Sequence, residues 1–109
     1  MTREDARAFV TLHAGTAVSP ALTDAEVEAC LDQSRLRDAG GRFVGDVGYV
    51  ETIWATRAVV LAYDVKLAKV AAKVDLSADG ATINASQVTA NLERLRRSWR
   101  SRCIPGASA

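Results

Sequence analysis

Residues 74–87 read Val-Asp-Leu-Ser-Ala-Asp-Gly-Ala-Thr-Ile-Asn-Ala-Ser-Gln, between two segments of strong helical periodicity. Asp75, Ser77, Asp79 and Gly80 stand at the first, third, fifth and sixth positions of an EF-hand-type calcium loop. The twelfth position, which needs a bidentate carboxylate, is Ser86, and no nearby acid replaces it. The ligand that completes the coordination is missing, so no metal is expected. Every residue fits a turn instead. Asp79-Gly80 is a strong two-residue hairpin signal, because both central positions of that turn need positive φ. Val74 and Leu76 alternate with polar residues before the turn, as Ala81 and Ile83 do after it. The pattern predicts a short β-hairpin over 73–85. Two strands alone are marginal in water, so the hairpin must lie against helices or gain a partner strand.

Working outward, residues 86–102 predict a last helix capped by Ser86. Val88, Leu92, Leu95 and Trp99 form its apolar stripe, and Arg94, Arg96, Arg97, Arg100 and Arg102 crowd the rest. Pro105 and Gly106 stop it, leaving 103–109 as a flexible tail. On the other side, apolar residues from Val47 to Ala72 recur at three- and four-residue steps on more than one face. They predict one long central helix, packed by several others or by a neighbouring subunit. Thr2 caps an expected helix over 3–14, which Gly15 ends. Thr23 and Glu26 form a capping box that opens a second helix, expected to run to Arg35 or Arg37. The glycine-rich stretch 38–48 is a loop holding Phe43 and Val44, residues suited to docking. The expectation is a mainly α fold: one domain over 1–102, a small helical bundle around a long central helix, with the hairpin before the C-terminal helix.

The chain has 109 residues, 49% of them hydrophobic and 25% charged, which suits one modest core. Net charge is +1, but residues 1–55 carry 5 basic and 9 acidic side chains, and residues 56–109 carry 9 basic and 4 acidic. Such halves can be solvated separately or can meet partners of either sign. Neither a secretory signal nor an apolar run of membrane-spanning length is seen, so a soluble protein is expected, with Cys30 and Cys103 as free thiols.

Catalytic chemistry is not visible. The chain has a single histidine, His13, and no His/Cys/Asp/Glu cluster has zinc spacing. Gly40-Gly41 lacks the Lys and Ser/Thr of a phosphate-binding loop. A lone thiol or imidazole is more often core or surface than catalytic. The arginine-rich helix has three readings: a solvated face whose stems cover apolar surface, a surface for an acidic protein, or a phosphate contact. It has no interleaved aromatics for base stacking.

The order of elements resembles the head–tail connector (adaptor) proteins of long-tailed bacteriophages. The block from Trp54 to Gln87 carries most of the likeness: Trp54 and Ala58, Leu61-Ala62, Lys69, the Asp75–Gly80 turn and Ser86-Gln87. Residues 22–32, LTDAEVEACLD, are similar to the second helix of such proteins. The resemblance implies a structural virion protein without enzymatic activity or cofactor. It implies a homo-oligomeric ring, usually of twelve, between portal and stopper or tail-completion protein. Such a ring extends the DNA channel without sequence-specific binding or membrane contact. It also implies a virion location at the head–tail interface, and the host cytoplasm during assembly and DNA packaging. Carried onto this sequence, Arg94, Arg97, Arg100, Arg102 and Ile104 become the candidate portal-docking element. Arg42, Phe43 and Val44 become a candidate lateral or stopper contact, and Asp79 and Gly80 the hairpin turn. Two alternatives remain: another head–tail completion protein (a stopper or tail-completion protein, richer in β structure), or a small nucleic-acid-binding regulator using the basic helix.

Overall fold

The computed structural model describes residues 1–18, 20–76 and 82–103, and only the backbone of 73–76 and 82–86. The fold is mainly α: α1 Arg3–Ala14, α2 Asp24–Asp32, α3 Ala55–Leu76 and α4 Thr82–Ser101, with two-residue strands β1 Arg35–Leu36 and β2 Thr52–Ile53. The long helix α3 is central, and α1, α2 and α4 all pack against it. Its 22 residues span about 33 Å. Among the described residues no helix is long and apolar enough to cross a membrane.

Both expected helix starts are present. Thr2 Oγ1 accepts from Asp5 N, and Thr23 Oγ1 accepts from Glu26 N while Glu26 Oε1 accepts from Thr23 N at 2.8 Å, a complete capping box. Gly15 ends α1 in the left-handed region, with φ of 59°. The core gathers Val10, Leu31, Val59 and Ala62 from three helices. From α4, Leu92 and Trp99 are buried and Leu95 packs on the core, while Val88 stays exposed. Trp99 meets Phe9 edge-on, with ring centroids 5.7 Å apart. Cys30 and Cys103 are free thiols; Cys30 is buried, and burial pushes its thiol pKa up, away from the reactive thiolate.

Three boundaries differ from the sequence expectation. Helix α2 stops at Asp32, not at Arg35 or Arg37. The reason is Ser34, which is buried: its Oγ donates back to Cys30 O at 2.8 Å and its carbonyl accepts from Trp54 N at 2.8 Å. Arg35 and Leu36 then pair antiparallel with Ile53 and Thr52. The long helix starts at Ala55 rather than Val47. Gly45 and Gly48 adopt positive φ, and Ile53 N donates to Met1 O at 2.8 Å, so residues before Ala55 are committed to a loop and a strand.

The third difference is the hairpin. Residues 73–76 and 82–85 are helical, as the last turn of α3 and the start of α4; the Asp79-Gly80 turn lies outside the described residues. Ser86 falls inside α4 rather than capping it. Continuing a formed helix adds one hydrogen bond per residue, whereas an isolated two-stranded hairpin is marginal. The strand pair that does form joins β1 to β2, where Met1 and the helix ends hold it.

The connector between α1 and α2 hangs on α3. Tyr63 Oη donates to His13 O at 2.8 Å. Lys66 Nζ donates to Gly15 O at 2.8 Å and Val18 O at 3.2 Å. Lys69 Nζ donates to Ala21 O at 2.6 Å and to Glu26 Oε1 at 2.5 Å. Residues 63, 66 and 69 step along one face and saturate carbonyls that end α1 and precede α2. Lys66 is only 3% exposed, and burial lowers its pKa. Lys66→Met keeps the stem but orphans two carbonyls. The expected cost is about 1–3 kcal/mol of stability, read as a lower midpoint in urea denaturation.

Candidate functional site

Acidic and basic side chains that separate by half along the sequence meet residue by residue in the fold. Arg3 lies among Glu28, Asp32 and Glu51, with Nε 2.7 Å from Glu51 Oε1, and Arg7 also meets Glu28. The hydrogen bond from Arg3 holds Glu51 below the usual carboxylate range. The one from Lys69 does the same for Glu26. Asp38 pairs with Arg42, and Asp64 with Arg96. Glu4, Asp5 and Asp24 lie in first helical turns, where the helix dipole favours an anion. The acidic half is therefore largely satisfied at home.

The basic half is not. Among the described residues, Arg57, Arg97 and Arg100 form no ion pair. Arg94 donates to Asn91 Oδ1 at 2.7 Å, and the Arg102 guanidinium lies over the Trp99 ring, 4.2 Å from its centroid. The four candidate arginines thus divide. Arg100 shares a face with Arg96 and turns toward α3. Arg94 and Arg97 lie on a different face of α4, and Arg102 folds back onto the core. Ile104 lies outside the described residues.

Arg57 was not legible as part of this surface. It stands on α3, one turn after Trp54, which immediately precedes that helix, and Trp54, Arg57, Leu61 and Asp64 recur at helical spacing. Because α4 returns along α3, the start of one helix meets the end of the other. An open groove of about 370 Å³ runs between them, lined by these residues and Val60 on one side and by Arg96, Arg100 and Cys103 on the other. The spacing was visible in the sequence, but which face of α4 lay opposite was not.

The loop from Asp38 to Val50 is the second surface, and it is ordered by one carboxylate. Asp38, whose side chain is 1% exposed, accepts from Arg42 N and Arg42 Nε, each at 2.8 Å, and from Val50 N at 3.1 Å. Desolvation raises its pKa, but these donors outweigh it and hold the carboxyl at about 2. Asp46 Oδ2 accepts from Phe43 N at 2.8 Å, and Arg37 covers the Phe43 ring at 4.0 Å. Tyr49 Oη donates to Leu36 O at 2.5 Å, tying the loop to its stem. Arg42 is therefore internal bracing. The residues presented outward are Phe43, Val44 and, 98% exposed, Val47. The loop's stem, β1–β2, leads directly into the start of α3, the same end that carries the groove.

Among the described residues no group of three or more His, Cys, Asp or Glu could hold a metal. The His13 ring packs on Phe9 and Trp99, with centroids 4.3 and 4.9 Å away.

The depressed Asp38 pKa fixes a sign. Its contribution to loop order is present above the unfolded carboxyl value of about 3.9 and is lost as pH falls toward the folded value. Amide exchange at Arg42 and Val50, followed by NMR from pH 5 down to 2, is expected to lose protection in that window while α3 amides keep theirs. Gly48→Ala should loosen the same amides at neutral pH. Gly48 has φ of 81°, and a Cβ there would stand 2.8 Å from Arg42 Nη1.

No protein-family model, no curated protein and no solved structure matches this chain.

Proposed function

We propose that this chain is a structural subunit of a phage head–tail connector, an adaptor that forms a ring between the portal and the stopper or tail. One observation carries the proposal. Among the described residues six carboxylates sit in ion pairs, while Arg57, Arg97 and Arg100 form none and lie where the start of α3 meets the end of α4. A small body whose paired acids are held by its own cations, and whose α3–α4 end is basic, suits a part that joins larger acidic surfaces. The element order supports the same reading: two short helices, a glycine loop, a long helix and a basic last helix. The mainly helical architecture speaks against a stopper or tail-completion protein richer in β structure.

In this reading Arg94, Arg97 and Arg100 meet the portal, with the residues that follow Cys103. The loop bearing Phe43 and Val44 makes the lateral contact between ring neighbours, since its stem shares the docking end of α3 and need not reach the far side. Arg42 acts by holding the loop's shape, and DNA passes through the ring without being read. The ring is put at twelve copies by resemblance alone.

Co-expression with the portal protein of the same genome tests this. Mass photometry and negative-stain images are expected to show the portal ring carrying a second ring. Removing residues 100–109 should keep the helical circular dichroism signal and abolish that ring. A bare portal beside free full-length chain would sink the proposal. Tight binding to short DNA duplexes, weakening steeply with salt, would favour the regulator reading.

A further inference from the structure

We infer that the groove between α3 and α4 is a binding site for an acidic amphipathic helix of a partner protein. This deepens the docking role proposed above and rests on it for biological context, but the site stands on its own geometry. Its floor is apolar: Trp54 and Leu61 are half-buried and Val60 is 8% exposed. Its two walls end in Arg57 and Arg100, both exposed and without an ion pair among the described residues. Further along, Arg96 is already paired with Asp64. The groove is therefore graded, with cations that form no ion pair among the described residues at the Trp54 end and a neutralised pair beyond.

That grading selects the occupant. A helix with carboxylates beside an apolar stripe can place acids on the Arg57 and Arg100 forks while its stripe covers Trp54 and Leu61. A nucleic-acid backbone offers evenly repeated charge and no apolar stripe, and Asp64 would face its phosphates. A volume of about 370 Å³ takes a few side chains of one helix rather than a broad protein face. Trp and Arg are also the residue types that dominate interface energetics.

The test uses the full chain, labelled with nitrogen-15. The probe is a 14-residue leucine–glutamate peptide with helical spacing, and its counterpart with lysine for glutamate is the control. The glutamate peptide is expected to shift the Trp54 indole N–H and the amides of Arg57, Leu61 and Arg100. The double variant Arg57→Glu, Arg100→Glu should weaken it at least tenfold. Arg57→Gln with Arg100→Gln, which adds no new charge, should weaken it by a smaller factor. Equal binding of the lysine peptide would overturn the inference. So would shifts confined to the 38–50 loop, no saturable binding, or a 12-base-pair duplex displacing the peptide from these residues. None of these outcomes depends on the portal. Peptide binding without a second ring would keep the site and discard the connector reading; a ring with no peptide effect would do the reverse.

Discussion

The buried amine of Lys66 is the contact on which the arrangement of helices depends. It reaches from the middle of α3 to the carbonyls of Gly15 and Val18, where α1 has just ended and the chain must turn toward α2. Helix ends leave carbonyls without partners, and burying them unpaired is costly. A cation at that end also complements the helix dipole. Tyr63 and Lys69, one turn either side, extend the same solution to His13 and Ala21. Three side chains of one helix thereby fix where two others lie.

A second constraint follows at the opposite end of α1. Arg3 gathers Glu28 and Asp32 from α2 and Glu51 from the approach to β2, and Met1 O holds Ile53 N. Partly exposed ion pairs add little stability one by one, but a shared guanidinium sets geometry. It draws the start of α1, the end of α2 and the approach to β2 together. The loop from Asp38 to Val50 then projects from a fixed base and is braced internally, so Val47 can be exposed without the loop collapsing.

The function proposed for the chain is tied to what this pairing leaves over. Of the acids that look like an acidic half in the sequence, Glu26, Glu28, Asp32, Asp38 and Glu51 are consumed by Arg3, Arg7, Arg42 and Lys69. Among the described residues, Arg57, Arg97 and Arg100 leave a basic patch without ion pairs. Its centre is the meeting of α3 and α4, two segments about forty residues apart that only an antiparallel return brings together.

The sequence by itself determined what is local. Helix α1, the capping box of α2, the left-handed Gly15 and the apolar stripe of α4 follow from spacing and cap chemistry within a few residues. The breadth of the apolar surface on α3 likewise announced a central helix. Tertiary structure decided what depends on distant partners. Ser34 ends α2 early because Trp54 needs its carbonyl, and α3 begins late because Ile53 is bound to Met1. The alternation over 73–76 and 82–85 reads as strand in isolation, yet these residues extend two helices already packed against each other. Lys66 looks like a charge on an apolar helix until the end of α1 is placed over it. Arg57 joins Arg100 for the same reason: periodicity assigns a residue to a face, and only packing says what that face meets.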